Sequence, residues 1–427
     1  MEIDLMGVGV GPANLSLAAL LTTARERGHT SLSSIFLERN SAIFWHSQQM
    51  FPGTLMQTEF YRDLVTPIDP TSRFSFLNYL KSNARLEQFF CSSTIYPTRQ
   101  EFEGYFNWAA AQMTDIAFGV TAKSVDYDPN TKLFIVQADP GSTYASKHIV
   151  LGYGAEPASS VDTDPKSRVV DVSTLLSFNF PDPLQRVLVV GGGQSAAECV
   201  NYLLDQYPDT GTQITWATSE TSFRALDISN FSREVFSSGY ASAFAALPKV
   251  LREKIIQDDK SVANGISPAI AQALYQRLYR LRNLPSPGTI SPSLHAQANT
   301  EVVEIREDAK GASVSVRTLP TGQTSVERYD CVILCTGLDD DTVLDSPMIG
   351  PQLKRRITKN KVTHGYALAW DGPDDRMIFV QSQNKETHGL GDASFVTAPG
   401  RNASILNSIT GREIYRIDVD DRLVALR

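Results

Sequence analysis

The sequence has 427 residues, of which 42% are hydrophobic, 20% charged and 9% aromatic. That length predicts two or three domains, and the composition excludes a disordered or fibrous chain. With 39 basic and 47 acidic side chains the formal net charge is −8, which argues against a sequence-independent nucleic-acid binder.

Met1 to Leu5 carries two acids and no basic run, so no secretory leader is expected. Ile3–Met6 reads as a short strand. Gly7–Gly11 follows as a glycine-rich turn, and then a helix from about Ala13 to Arg27. Leu15, Leu17, Leu20 and Leu21 supply its apolar stripe, with Gly28 as C-cap. Ser34–Leu37 reads as the next strand, ending at Glu38. Residues 157–166, rich in Pro, Ser and Asp, read as a linker. The opening theme then returns: strand Arg186–Val190, turn Gly191–Gly193, a helix to about Tyr207, and strand Ile214–Ala217. Pro268–Leu281 places Ile270, Leu274, Leu278 and Leu281 at helical spacing. Val302–Arg306 and Ser313–Arg317 alternate as strands of a small antiparallel sheet. Tyr329–Cys335 reads as a buried strand ending in Thr336-Gly337. The four cysteines, Cys91, Cys199, Cys331 and Cys335, form neither a disulfide framework nor a zinc-like pair, and cytoplasmic residence is the expectation. No apolar run approaches the ~20 residues that span a bilayer, so no membrane association is expected.

Two strand–turn–helix units predict an α/β chain with two Rossmann-like dinucleotide-binding domains. In Gly7-x-Gly9-x-Gly11-Pro12 the first glycine permits the tight turn and the second lets backbone approach a pyrophosphate. The helix N-terminus then offers free N–H groups and a positive dipole end. Pro12 stands where the third glycine of GxGxxG would be, at a helical position that tolerates proline. Glu38 is the acid expected on a ribose hydroxyl, although it lies beyond the usual ~20-residue spacing. Gly191-Gly192-Gly193-Gln194-Ser195-Ala196 fits GxGxxA. Together the turns point to a flavin in one half and a nicotinamide in the other. Past Ile214–Ala217, the residues Ser219, Ser222 and Arg224 suit the 2′-phosphate of NADPH, while Glu220 opposes it. No metal-ligand cluster, nucleophile–base triad or carboxylate pair stands out, as expected where a cofactor carries the chemistry.

Further landmarks are Phe44-Trp45-His46, Met56-Gln57-Thr58, Asp63–Thr71, Phe74–Tyr79, Pro97–Phe102, Cys335-Thr336-Gly337 and Thr387-His388-Gly389-Leu390. With the two glycine turns, they make the chain resemble, almost end to end, the flavin-dependent N-hydroxylating monooxygenases of siderophore biosynthesis. That family comprises lysine N6-, ornithine N5- and diamine N-monooxygenases. The resemblance implies FAD at Gly7, Gly9, Gly11, Pro12 and Asn14, with Glu38, Trp45, His46, Gln57, Thr336, Gly337 and His388 also around the cofactors. It implies NADPH at Gly191, Gly193, Gln194 and Ser195, reaching Ser219 and Arg224. Reduced flavin would add O₂ to give a C4a-hydroperoxide and pass one oxygen to a neutral primary amine. Gln57 and Asn264 are the candidate catalytic residues.

For the substrate, the resemblance points to Arg62, Arg233, Asn264 and Thr397. Arg62 stands where the amino-acid-specific members carry a carboxylate-binding lysine, and Arg233 replaces a small polar residue. Arg62 favours an amino acid, or it pairs with Asp63 or a neighbouring acid. The flank Leu64–Tyr79 is at least as close to the diamine enzymes, so an L-lysine- or L-ornithine-like amino acid and a diamine both stay open. An uncoupled NADPH oxidase and a catalytically silent flavoprotein are the other readings. The expected FAD domain is discontinuous, 1–157 and 325–427. The expected NADPH domain is 158–324, with a mostly helical substrate region at about 225–290. A homo-oligomer, dimer or tetramer, is implied.

Overall fold

A computed structural model describes residues 2–46, 49–139, 141–154, 156–157, 167–284, 290–339 and 344–418. Beyond residue 157, the expected linker lies outside them.

Strand β1 (Glu2–Val8) leads through the first glycine turn into helix α1 (Pro12–Glu26). Pro12 occupies the first helical turn, where a missing N–H costs nothing. Leu15, Leu17, Leu20 and Leu21 are fully buried. Strand β2 (Ser34–Glu38) follows, then a segment that carries two short helices, Phe76–Ser82 and Leu86–Cys91. Helix α2 (Arg99–Ala110) starts where the Thr98 side chain accepts from the Glu101 N–H. Strand β3 (Ile116–Phe118) and the meander β4 (Ala122–Asp128), β5 (Leu133–Ala138) and β6 (Ser142–Leu151) complete this run. Strands β3, β2, β1 and β6 are parallel neighbours in that order. The start of β6 pairs antiparallel with β5, so one long strand serves both the parallel sheet and the meander.

The second unit contains β7 (Val169–Asp171), β8 (Arg186–Val190), α3 (Gln194–Gln206), β9 (Gln213–Ala217), α4 (Pro268–Asn283) and β10 (Ser293–Gln297). An antiparallel trio, β11 (Thr300–Asp308), β12 (Gly311–Thr318) and β13 (Gln323–Tyr329), leads into β14 (Cys331–Leu334). The parallel order is β10-β9-β8-β14-β7. This corrects the boundary expected at 325. Both β13 and β14 belong to the second unit, and β14 lies between β8 and β7. All four of its residues are buried, as expected of an apolar strand in a parallel sheet covered on both faces. Between β9 and α4 the chain makes a 3₁₀ turn (Ser232–Phe236) and helices Ser238–Ala245, Lys249–Asp258 and Lys260–Ala263. Val235, Tyr240, Phe244 and Val262 give this region a small core of its own.

The chain then returns to the first sheet. Strand β15 (Ile378–Val380) pairs parallel with the end of β6. Helix α5 (Ala398–Thr410) packs Ala403, Ile405 and Leu406 into the core that holds the α1 leucines. Among the described residues no helix is long and apolar enough to cross a membrane.

Candidate functional site

The glycines of the first turn divide by what surrounds them. Gly7 pairs with Phe36 in the sheet register, and a Cβ on it would lie 2.2 Å from the Phe36 ring. Packing therefore demands that glycine, and the turn itself is made by Gly9 at φ +81°. A Cβ on Gly9 would stand 2.7 Å from the Gly152 carbonyl oxygen. Gly11, the N-cap of α1, has no atom within 4 Å of where its Cβ would be. The second turn repeats the pattern. A Cβ on Gly191 would meet the Cys335 oxygen at 2.3 Å, one on Gly192 would meet Thr218 Oγ1 at 2.6 Å, and Gly193, the N-cap of α3, is open. Each unit thus presents one unobstructed helix N-terminus, a shape that fits a dinucleotide pyrophosphate. The open space at each turn thus lies at Gly11 and Gly193 rather than at the middle glycine of the first turn, Gly9.

Glu38 braces the first turn. Its Oε2 accepts from the Val10 N–H at 2.9 Å, and its Oε1 accepts from the backbone and side chain of Asn40 at 3.0 and 2.7 Å. Asn14, expected at the cofactor, is instead an internal strut. Its side chain is fully buried, donates to the Gly9 carbonyl at 2.8 Å, and accepts from Gln381 Nε2 at 3.1 Å. Gln381 Oε1 accepts from Arg401 Nε at 2.6 Å, and Arg401 Nη1 donates to Asp392 Oδ1 at 2.7 Å. This chain of bonds links the flavin-type turn to the segment 390–396, part of which lines the pocket described next.

A pocket of about 300 Å³ opens between the two units. The first unit contributes Trp45, His46, Met56, Gln57, Thr58, Arg62 and Arg99. The second contributes Leu226, Asp227, Ile228, Arg233, Phe236, Val262 and Ala263, and the returning segment adds Leu390 and Ala393–Val396. The Trp45 ring packs against Phe106 and Phe395, at 5.3 and 6.3 Å between centroids. His46 is open to the pocket yet deep between the two units. Those low-dielectric surroundings, with the nearby Arg99 cation, lower its pKa to about 4, so it is neutral at physiological pH.

Arg62 and Arg233 both turn to a carboxylate that sequence reasoning did not single out. Glu59, only 2% exposed, forms a close ion pair with Arg233 and lies 3.4 Å from Arg62 Nε. Asp63, the other acid considered for Arg62, is occupied elsewhere. It accepts from the Val65, Thr66 and Phe76 N–H groups. Arg99 is the second residue missed. It donates to Glu198 Oε1 at 2.8 Å across the two units. Glu198 Oε1 also accepts from Gln194 Nε2 at 2.6 Å, and Gln194 Oε1 accepts from the Ser267 N–H at 2.8 Å. The Gln194 side chain is therefore committed to protein groups. Ser195 Oγ donates to Gln49 Oε1 at 3.3 Å, a further link between the units. The one signal for Glu59 was its i,i+3 spacing to Arg62. Nothing local joined Arg99 to Glu198.

Three expected residues lie off the pocket wall. Thr397 donates its hydroxyl inward to the Gly391 and Ser394 carbonyls, both at 2.9 Å, while its neighbours Ser394–Val396 line the pocket. Asn264 is exposed at the C-cap of helix Lys260–Ala263, one residue past the wall. His388 is 2% exposed, stacks on Tyr366 at 3.9 Å, and packs in the core. Ser219 and Arg224 are exposed beyond the end of β9, and Thr336 and Gly337 beyond the end of β14. All four lie past the carboxyl ends of parallel strands, where such sheets bind ligands.

A family model described as L-lysine 6-monooxygenase/L-ornithine 5-monooxygenase matches residues 2–340. The L-lysine N6-monooxygenase of Escherichia coli is 31% identical over 435 residues, covering 100% of this chain and 99% of that protein. The putrescine N-hydroxylase of Acinetobacter baumannii is 29% identical, covering 97% and 91%. Among solved structures, the FAD-bound cadaverine monooxygenase of desferrioxamine biosynthesis from Erwinia amylovora superposes with a TM-score of 0.86 at 25% identity, covering 100% and 99%. The ornithine N-hydroxylase of Kutzneria sp. 744, solved with reduced FAD, NADP⁺ and L-ornithine, gives 0.87 at 26% identity, covering 96% and 99%. These similarities embrace amino-acid and diamine enzymes alike. Matched over nearly the whole length, they establish that the chain belongs to the L-lysine 6-monooxygenase/L-ornithine 5-monooxygenase family.

Proposed function

We propose that this protein is a flavin-dependent monooxygenase that converts a small primary amine, O₂, NADPH and a proton to the hydroxylamine, water and NADP⁺, for siderophore or related natural-product assembly. The observation that carries this is the pair of unobstructed N-caps, Gly11 and Gly193, one in each unit, together with a pocket walled by both units. Bound FAD, reduced by NADPH, supplies the activated oxygen.

The protein's own residues bind, orient and exclude water. The free N–H groups after Gly11 and Gly193 take the pyrophosphates, and Glu38 stands at the end of β2 for a ribose hydroxyl. Ser219, Ser222 and Arg224 suit the 2′-phosphate. Trp45, Phe236 and Phe395 give the pocket apolar walls that keep water from the reacting centre. The amine must react unprotonated, although a free alkylamine has a pKa near ~10.4. Arg62, Arg99 and Arg233 on the wall disfavour an ammonium, and the apolar lining disfavours any charge there. Neutral His46 and the Gln57 amide can hydrogen-bond an uncharged amine.

Residence in the cytoplasm and assembly as a homo-dimer or tetramer belong to this proposal on the family resemblance. The test is amine-stimulated NADPH consumption with mass-spectrometric detection of hydroxylamine. The panel is ornithine, lysine, putrescine, cadaverine and histamine, each run with NADPH and with NADH. A hydroxylamine product with NADPH preferred is expected. No hydroxylamine from any amine refutes the function, and an NADH preference refutes the 2′-phosphate site.

A further inference from the structure

Three cations line the pocket: Arg62, Arg99 and Arg233. Each faces a carboxylate of the protein. Arg99 is held by Glu198, with side chains 11% and 2% exposed. Arg233 and Arg62 share Glu59, whose side chain is 3% exposed while theirs are 20% and 27%. Glu59 approaches from behind, outside the pocket wall, and its Oε2 makes no hydrogen bond. A third carboxylate, Asp227, lines the pocket on the same loop as Arg233, where the Ser229 N–H and the Ser232 hydroxyl hold it at 2.9 and 2.6 Å. Charge around the pocket is therefore balanced from within, three cations against three carboxylates.

We infer that Glu59 is an internal counter-ion that occupies the guanidinium faces a substrate carboxylate would need, and that the pocket selects a primary amine whose far end is uncharged. The inference rests on the amine N-hydroxylation proposed above. A substrate carboxylate would compete with Glu59 for Arg233 and Arg62, and drawing Arg233 away would leave a buried carboxylate without its close partner, which is strongly unfavourable. A second ammonium would meet three guanidiniums on the wall, Arg62, Arg99 and Arg233, against one lining carboxylate, Asp227, because Glu59 and Glu198 lie outside the wall, and the excess like charge repels it. An uncharged tail meets neither obstacle. It finds the aromatic faces of Trp45, Phe236 and Phe395 and the polar atoms of Gln57, Thr58 and Ser394.

The test compares amines of matched reach on the FAD- and NADP⁺-loaded protein by calorimetric binding, and by hydroxylamine formation during turnover. The amines are L-lysine, cadaverine, 5-amino-1-pentanol and histamine. The wild type is expected to bind 5-amino-1-pentanol or histamine at least tenfold more tightly than L-lysine or cadaverine. Glu59→Gln removes the charge and keeps the shape. It should shift the affinity ratio of L-lysine to 5-amino-1-pentanol at least tenfold towards L-lysine, and Arg233→Gln should not. A general structural role for Glu59 would weaken all four amines together and leave the ratio unmoved. The inference is overturned if wild type binds L-lysine or cadaverine as tightly as the uncharged amines, or if Glu59→Gln leaves the ratio unchanged. The wild-type arm decides the matter even if the variant fails to fold. If uncharged amines bind selectively but no hydroxylamine forms, the reaction proposed above fails while the selectivity of the pocket stands.

Discussion

Arg401→Met is expected to be the most damaging single change away from the pocket. Arg401 and Asp392 have side chains with 0% exposure. The guanidinium donates to Gln381 Oε1 at 2.6 Å, to Asp392 Oδ1 and its backbone oxygen at 2.7 Å each, and to Ser382 Oγ at 3.2 Å. Methionine fills much of the volume and makes none of these bonds. Taking one partner from a buried ion pair costs about 3–5 kcal/mol, because the other charge is left uncompensated. That exceeds the ~1 kcal/mol of an ordinary internal hydrogen bond. Asp392→Asn removes the charge but can still accept from the Asn384 N–H, now 2.7 Å away. The double variant leaves no orphaned charge, so the two single costs should overshoot the double by at least ~1.5 kcal/mol, within the usual range for residues in contact. The assay is urea unfolding of the FAD-loaded protein, followed by circular dichroism and by flavin release. Flavin should leave at lower urea in Arg401→Met, because the network reaches Gly9 through Gln381 and Asn14. A cost below ~1 kcal/mol for Arg401→Met, or simple additivity with Asp392→Asn, would refute the reasoning.

Two further outcomes test other parts of the structure. Gly11→Ala and Gly193→Ala should fold, since the added Cβ meets nothing, but should lose at least tenfold in affinity for FAD and NADPH respectively. Gly9→Ala, at φ +81° and 2.7 Å from a backbone oxygen, should lower folded yield instead, and the reverse pattern would contradict the assignment of the open N-caps. His148 and His388 are buried, and burial lowers both pKa values to about 4. His148 Nδ1 also accepts from the Met377 N–H, which requires the neutral ring. Between about pH 4 and 6.5 the unfolded chain therefore binds more protons than the native one, so stability falls on acidification and is retained above 6.5. The loss from pH 7 to 5 should be about 2 kcal/mol per histidine. His148→Gln or His388→Gln should flatten the urea-midpoint profile, and a flat profile in the wild type would contradict the linkage.

The local code determined more of this protein than its pocket. Repeated strand–glycine–helix units announced two dinucleotide folds because turn chemistry and helix starts depend on a few adjacent residues. Pro12 after Gly11 and Gln194 after Gly193 mark the helix starts where the structure has them. The resemblance to amine N-hydroxylases rested on the same short runs. Decisions between distant segments escaped that code. The chain leaves the second sheet after residue 334, because β14 pairs with strands at 169–171 and 186–190, far away in sequence, and only the folded sheet brings them together. Asn14 and Thr397 turn inward because their partners, Gln381 for one and the Gly391 carbonyl for the other, become visible only once the chain is folded. Charge followed the same rule. Arg62 and Arg233 could be named from sequence, but their electrostatic meaning depends on a third residue. Glu59 lies three positions from one arginine and 174 from the other. An ion pair acts through distance in space, and tertiary folding alone set that distance.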